Sequence, residues 1–197
     1  MSNDTNGHDA KRDHALILSA WLCVLGDARI SYLSGPITTG PRWAAALEHE
    51  GEDYDRARVI ADNSAAILAA ARKLRAGSPR LVVEPASLSV REWSQDDYLT
   101  LWTTLIERHA ADIYFMPGWE YSIGCALEFE RALIHSLPAF DIEGNALATG
   151  TGFAMLAAAI EDLGVRGART PALLPLRNRL RAVLERVAPG HVLPHSA

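Results

Sequence analysis

The chain has 197 residues, with 19 basic against 24 acidic side chains for a net charge of −5, and two cysteines. That length suits one domain with a substantial core, and an acidic balance without any Lys/Arg block argues against a nucleic-acid polymer as partner. Cys23 and Cys125 have no metal-type spacing, so neither a disulfide framework nor a structural zinc is indicated, and a reducing cytoplasm fits.

Residues 1–9 are polar and rich in Asn, Asp and Gly; they are expected to be disordered, with tails at 1–12 and 189–197 flanking a single α/β domain over 13–188. Residues 14–25 read as a helix that is apolar nearly all round, suited to packing against the body or a second copy, and a homodimer is expected. Behind Lys11 and Arg12 the run over 15–25 also resembles a signal-peptide core. Against this, it passes straight into a strand-like segment, and it is well short of the ~20 residues that cross a bilayer. No membrane partner is expected.

Residues 29–34 (Arg-Ile-Ser-Tyr-Leu-Ser) form the first expected strand, stopped by Gly35-Pro36. Residues 37–51 read as a loop with a short helical turn from Trp43 to His49. The strongest helix spans about 55–76, with Ile60, Ile67 and Leu74 at intervals of seven, Gly77 as its expected C-cap and Pro79 beyond it. Residues 81–83 are the second strand. Ser94 opens a helix with Asp97 three residues on, a capping-box spacing, and this helix runs to about His109.

Residues 112–116 are the third strand, followed by Pro117-Gly118-Trp119-Glu120-Tyr121-Ser122-Ile123-Gly124-Cys125-Ala126-Leu127-Glu128. This stretch reads as strand, tight turn and helix start, a junction where α/β proteins place chemistry. Ser122 as N-cap leaves the amides of Gly124 and Cys125 facing any anion, and Glu128 lies about 9 Å further along the helix. The same residues also allow an ordinary turn followed by a solvated glutamate. A fourth strand at 139–142 and helices over 151–163 and 171–187 complete the chain. The arginines of the last helix (Arg177, Arg179, Arg181, Arg186) read as a solvated face. The alternation implies a Rossmann-like, mainly parallel sheet flanked by helices, with further helices at the C-terminal end.

Ser31-Tyr32-Leu33-Ser34-Gly35-Pro36-Ile37 and Ser122-x-Gly124-x-x-x-Glu128 together resemble the nucleoside 2-deoxyribosyltransferase superfamily, including its nucleoside monophosphate N-hydrolase branch. The likeness covers about residues 29–142. It implies that Glu128 attacks the anomeric carbon and forms a glycosyl ester, and that Tyr32 places this carboxylate. It further implies that Ser34, Gly35, Pro36, Ile37, Ser122 and Gly124 bind the substrate. Ser122, where transferases acting on free nucleosides carry Asp, favours a 5′-phosphorylated nucleotide over a nucleoside. Thr38, Thr39 and Arg42 either add donors or lie in a plain solvent loop.

One position departs from the family: Thr104 stands where an Asp handles protons at the leaving base, and Thr is no general acid near neutral pH. Asp97 and Glu107 are the candidates to replace it, and reduced or lost turnover is the other outcome. Trp93, Trp102 and Trp119 read as core or rim packing in preference to stacking on a base, Cys125 as a small buried residue, and no His spacing suggests a metal. The resemblance implies no cofactor.

Overall fold

The computed structural model describes residues 5–90 and 93–187, with side chains from residue 15 onward. In chain order the elements are α1 (Thr5–Leu25), β1 (Ile30–Ser34), α2 (Pro41–Glu50), α3 (Arg56–Gly77), β2 (Val82–Val83), α4 (Gln95–His109), β3 (Ala110–Phe115), α5 (Ile123–Ile134), β4 (Ala139–Asp141), α6 (Thr149–Gly167) and α7 (Leu174–Val187). The sheet order is β2-β1-β3-β4 and every strand pair is parallel. This is a Rossmann-like α/β arrangement.

All five residues of β1 are buried, as a parallel strand covered on both faces requires. Alternation divides them: Ile30 and Tyr32 join the larger core with α4 and α5, while Leu33 packs with Ile67, Ala71 and Val82 under α3. The β1–β3 register shifts between Ile30 and Ser31, then runs regularly as Tyr32 opposite Ile113 and Ser34 opposite Phe115. Since β1 leads outward to β2 on one side and pairs with β3 on the other, the strand order reverses between β1 and β3. Crevices at such points, beyond the carboxyl ends of the strands, are where open parallel sheets bind ligands.

Several local expectations hold for the physical reasons that suggested them. Ser94 and Asp97 form a full capping box at the start of α4, and Ser122 caps α5. A cap not anticipated from the sequence is Asp55, whose side chain accepts from the Arg58 amide at the start of α3.

Others are corrected. Residues 5–12 belong to α1 instead of a disordered tail, whereas residues 1–4 and 188–197 lie outside the described residues. The segment after Gly40 is a ten-residue helix and not a short turn: Pro41 starts it without a missing donor, and Ala44, Ala46 and Leu47 bury its inner face. Gly77 is the last helical residue, and Ser78, with extended backbone, is the C-cap. The third strand begins at Ala110, so Asp112 lies inside it and pairs with Arg80 at 2.7 Å.

The α1 helix packs one side against the core through Ile17, Leu18, Trp21 and Leu25, and leaves Leu16 and Val24 exposed. The arginines of α7 are not uniformly solvated either. Arg186 clamps the buried carboxylate of Glu130 at 2.8 and 3.0 Å, and Arg177 lies against Gly164. Among the described residues no helix is long and apolar enough to cross a membrane.

Candidate active site

Tyr32 and Ser34 are two apart on β1, so both point to the same face of the sheet. Glu128, in the second turn of α5, is on that helix's buried side and only 5% exposed. The three meet: Tyr32 Oη donates to Glu128 Oε1 at 2.7 Å, and Ser34 Oγ donates to Oε2 at 2.6 Å. Each carboxylate oxygen thus has one hydroxyl donor, and the group is fixed in position and rotation.

Burial pushes the Glu128 carboxyl up to about 7, against the pull of the Ser34 and then the Tyr32 hydrogen bond. Desolvation destabilises the charged form and two donors do not fully offset it. Tyr32 is itself raised well above the usual phenol range, first by burial and then by Glu128, so it stays a neutral donor. The Cys125 thiol is pushed up to about 12 by burial, with Glu128 adding to it. A thiol so raised is no nucleophile near neutral pH.

At the mouth of α5, Ser122 Oγ accepts from the Cys125 amide at 3.5 Å. The Cys125 amide is therefore taken up inside the cap, contrary to expectation, and the amides of Ile123 and Gly124 are the ones left at the open helix end.

Glu128 opens onto a cavity of about 270 Å³ beyond the ends of β1, β2 and β3. Of the residues singled out in the sequence, Gly35, Ile37, Ser122, Gly124 and Glu128 line it. Tyr32 and Ser34 do not; they lie behind Glu128, fully buried, and hold it. Ser34 therefore holds the carboxylate and is not part of the cavity lining. Pro36 is also absent from the lining, being buried against Gly40, whose positive φ of 107° and contact with Pro36 leave no room for a side chain. A built Cβ on Gly35 would lie 2.8 Å from Ile67 and 2.9 Å from Met116 Sδ, so glycine is required where this turn touches α3.

The loop after β1 is held from behind. Asn63, buried on α3, donates to the carbonyls of Ile37 at 2.9 Å and Thr39 at 3.3 Å, and accepts from Arg42 at 3.1 Å. Arg42 and Thr39 thus belong to the loop's support, while Thr38 lines the cavity and donates to Gln95 at 3.1 Å.

The helix α4 supplies the opposite wall through Gln95, Asp96, Tyr98, Leu99 and Trp102, positions that share one face. Asp97 is not among them. Its carboxylate accepts from the Ser94 amide at 2.8 Å and the Ser94 hydroxyl at 2.6 Å within the capping box. The other replacement acid, Glu107, pairs with Arg131 at 3.3 Å and His135 at 3.9 Å, away from the cavity. Thr104 also faces elsewhere, donating to the carbonyl of Thr100 at 2.7 Å. The acidic side chain that α4 brings to the rim is the exposed Asp96.

Trp102 lines the cavity while packing against Tyr32 with ring centroids 6.2 Å apart, so it is both core and wall. Trp119 is core alone, within 4.9 Å of the Phe115 and Phe129 rings. Trp93 lies edge-on to Tyr98 at 5.0 Å. Arg179, from α7, which the sequence placed on a solvated face, completes the lining. Among the described residues no group of three or more His, Cys, Asp or Glu side chains is placed to hold a metal ion.

Removing one donor tests the carboxylate's setting. With Ser34→Ala, Glu128 should titrate about one pH unit higher, because a hydrogen bond to a charged group is worth roughly 1.5–3 kcal/mol. Tyr32→Phe should act in the same direction and by less. Carboxyl titration followed by infrared difference spectroscopy reads this without a substrate. An unchanged titration in both variants would mean that neither hydroxyl stabilises the ionised form.

Comparison with protein-family profiles, with curated proteins and with solved structures finds no match to this chain.

Proposed function

We propose that this protein is an N-glycosidase that cleaves the base–sugar bond of a nucleoside 5′-monophosphate through a covalent glycosyl–Glu128 intermediate. The observation that carries the reading is the buried Glu128, gripped by Tyr32 and Ser34, at a cavity that also receives the open amino end of α5. A carboxylate fixed by two donors and shielded from water is suited to nucleophilic attack. The amides of Ile123 and Gly124 and the Ser122 hydroxyl suit an anion at the other end. Between them Tyr98, Leu99, Trp102, Leu88 and Pro85 give a largely apolar wall that suits a nucleobase.

In the first step a Glu128 oxygen bonds to the anomeric carbon as the glycosidic C–N bond breaks. The base leaves with the bonding pair and takes a proton from solvent. Water then attacks the anomeric carbon and gives up one proton to solvent, the ester C–O bond breaks, and the sugar 5-phosphate departs with the Glu128 carboxylate restored. If a second base replaces water, the same intermediate supports transfer between bases.

A second reading, a nucleotide-binding protein without turnover, is favoured by one observation: among the described residues, the wall opposite Glu128 offers only the exposed Asp96 as an acid. Incubation with the common nucleoside 5′-monophosphates, with free base followed by chromatography and adducts by peptide mass spectrometry, separates the readings. Base release with a sugar-phosphate adduct on the peptide bearing Glu128, retained in Cys125→Ser, is the expected result. Ligand binding without base release would leave the binding reading alone standing. Base release from free nucleosides only would replace the nucleotide substrate with a nucleoside.

A further inference from the structure

We propose that Arg179 on α7 is the cation that receives the substrate's 5′-phosphate, so that the C-terminal helix belongs to the active site. This rests on the glycosidase reading above for the identity of the substrate, but not for the presence of an anion subsite.

Among the described residues, Arg179 is the one Lys, Arg or His that lines the cavity. It is exposed and makes no ion pair or hydrogen bond among the described residues, whereas Arg186 on the same helix is committed to Glu130. Its placement is not free to vary. The burial of Leu176, Leu180, Val183 and Leu184 fixes which side of α7 faces inward, and Arg179 then shares the cavity wall with Ile123, Gly124 and Leu127 of α5. Arg179 thus comes from a helix packed against the one whose amino end opens into the cavity.

Charge makes it necessary. Among the described residues two carboxylates, Asp96 and Glu128, line the cavity, and a phosphate would add up to two further negative charges. A helix N-terminus offers the equivalent of roughly half a positive charge. One guanidinium more than doubles what faces the anion, and its planar fork suits two phosphate oxygens at once.

Binding of ribose 5-phosphate and of ribose, and of nucleoside 5′-monophosphates and their parent nucleosides, should be measured by calorimetry on the wild type, Arg179→Gln and Arg179→Lys. The expected result is a loss of 10- to 100-fold for the phosphorylated member of each pair in Arg179→Gln, about 1.4–2.7 kcal/mol, with the unphosphorylated member unaffected and Arg179→Lys intermediate. In turnover, KM for the nucleotide should rise while KM for the nucleoside holds. Equal losses for both members of a pair would assign Arg179 a structural role and overturn the proposal. So would a wild type that binds ribose 5-phosphate no better than ribose. Phosphate-dependent binding lost in Arg179→Gln, in a protein that releases no base, upholds Arg179 and overturns only the glycosidase. Base release from nucleotides untouched by Arg179→Gln does the reverse.

Discussion

Glu128→Gln should abolish base release, by a factor on the order of 10³ or more, and should at the same time make the protein more stable at pH 8. The two effects share one cause. A nucleophilic carboxylate must be ionised, and this one is ionised inside the protein, where burial raises it to about 7 from an ordinary 4.5. Between those two pH values the unfolded chain has lost the proton and the folded chain still holds it. Stability therefore falls as the pH rises from about 4.5 to about 7, and is level above that.

The cost at pH 8 is roughly 3–4 kcal/mol, from two and a half units at about 1.4 kcal/mol each. Glutamine has no proton to lose and presents an oxygen and an amide to the same two hydroxyls. It should raise Tm at pH 8 by roughly 7–14 °C for a chain of this size, and by much less at pH 4.5. A gain that is the same at both pH values would show that the carboxylate's ionisation is not what strains the fold. In the wild type, base release should climb with pH through about 7, as the ionised fraction of Glu128 does.

Phe129→Ala should be the most damaging core substitution, at about 3–5 kcal/mol in urea denaturation. Phe129 is 1% exposed. Its ring lies 4.9 Å from Trp119, 5.8 Å from Phe115 and 6.1 Å from Phe153, centroid to centroid. Below it is Gly152 on α6, where a Cβ would come 2.3 Å from the Phe129 ring. The glycine is there because the ring is. Gly152→Ala should therefore be destabilising alone and much less so combined with Phe129→Leu, with a coupling of at least about 1 kcal/mol in the double-mutant cycle. Strict additivity would mean that α6 shifts to make room.

What the sequence disclosed and what it hid divide by range. Ser94 with Asp97 and Ser122 were legible because a cap acts within three residues of itself. The helix α2 was hidden because Thr38-Thr39-Gly40-Pro41 reads as loop punctuation, although proline is at ease in a first helical turn. The capping-box reading of Asp97 also carried a consequence: a carboxylate that accepts from Ser94 twice is occupied, and a proton-transfer role for it competes with that bond. The burial of Glu128 could not be read from its helix, where Glu128 and Glu130 are both buried, each through a partner far away in the chain: Tyr32 and Ser34 for one, Arg186 for the other. Arg179 looked like its neighbours for the same reason. Which arginine of an amphipathic helix meets a cavity is decided by the elements packed around it.

The grip on Glu128 comes from alternate residues of one strand, with Leu33 between them turned to the other side of the sheet. A slip of β1 by a single residue would bring Leu33 under the carboxylate and turn both hydroxyls away, leaving a buried acid with no donor at all. A chain paired one step out of register would thus be inert, and its Glu128 would titrate higher still. Strand alignment, ordinarily invisible to solution measurements, is here written into the acidity of one side chain.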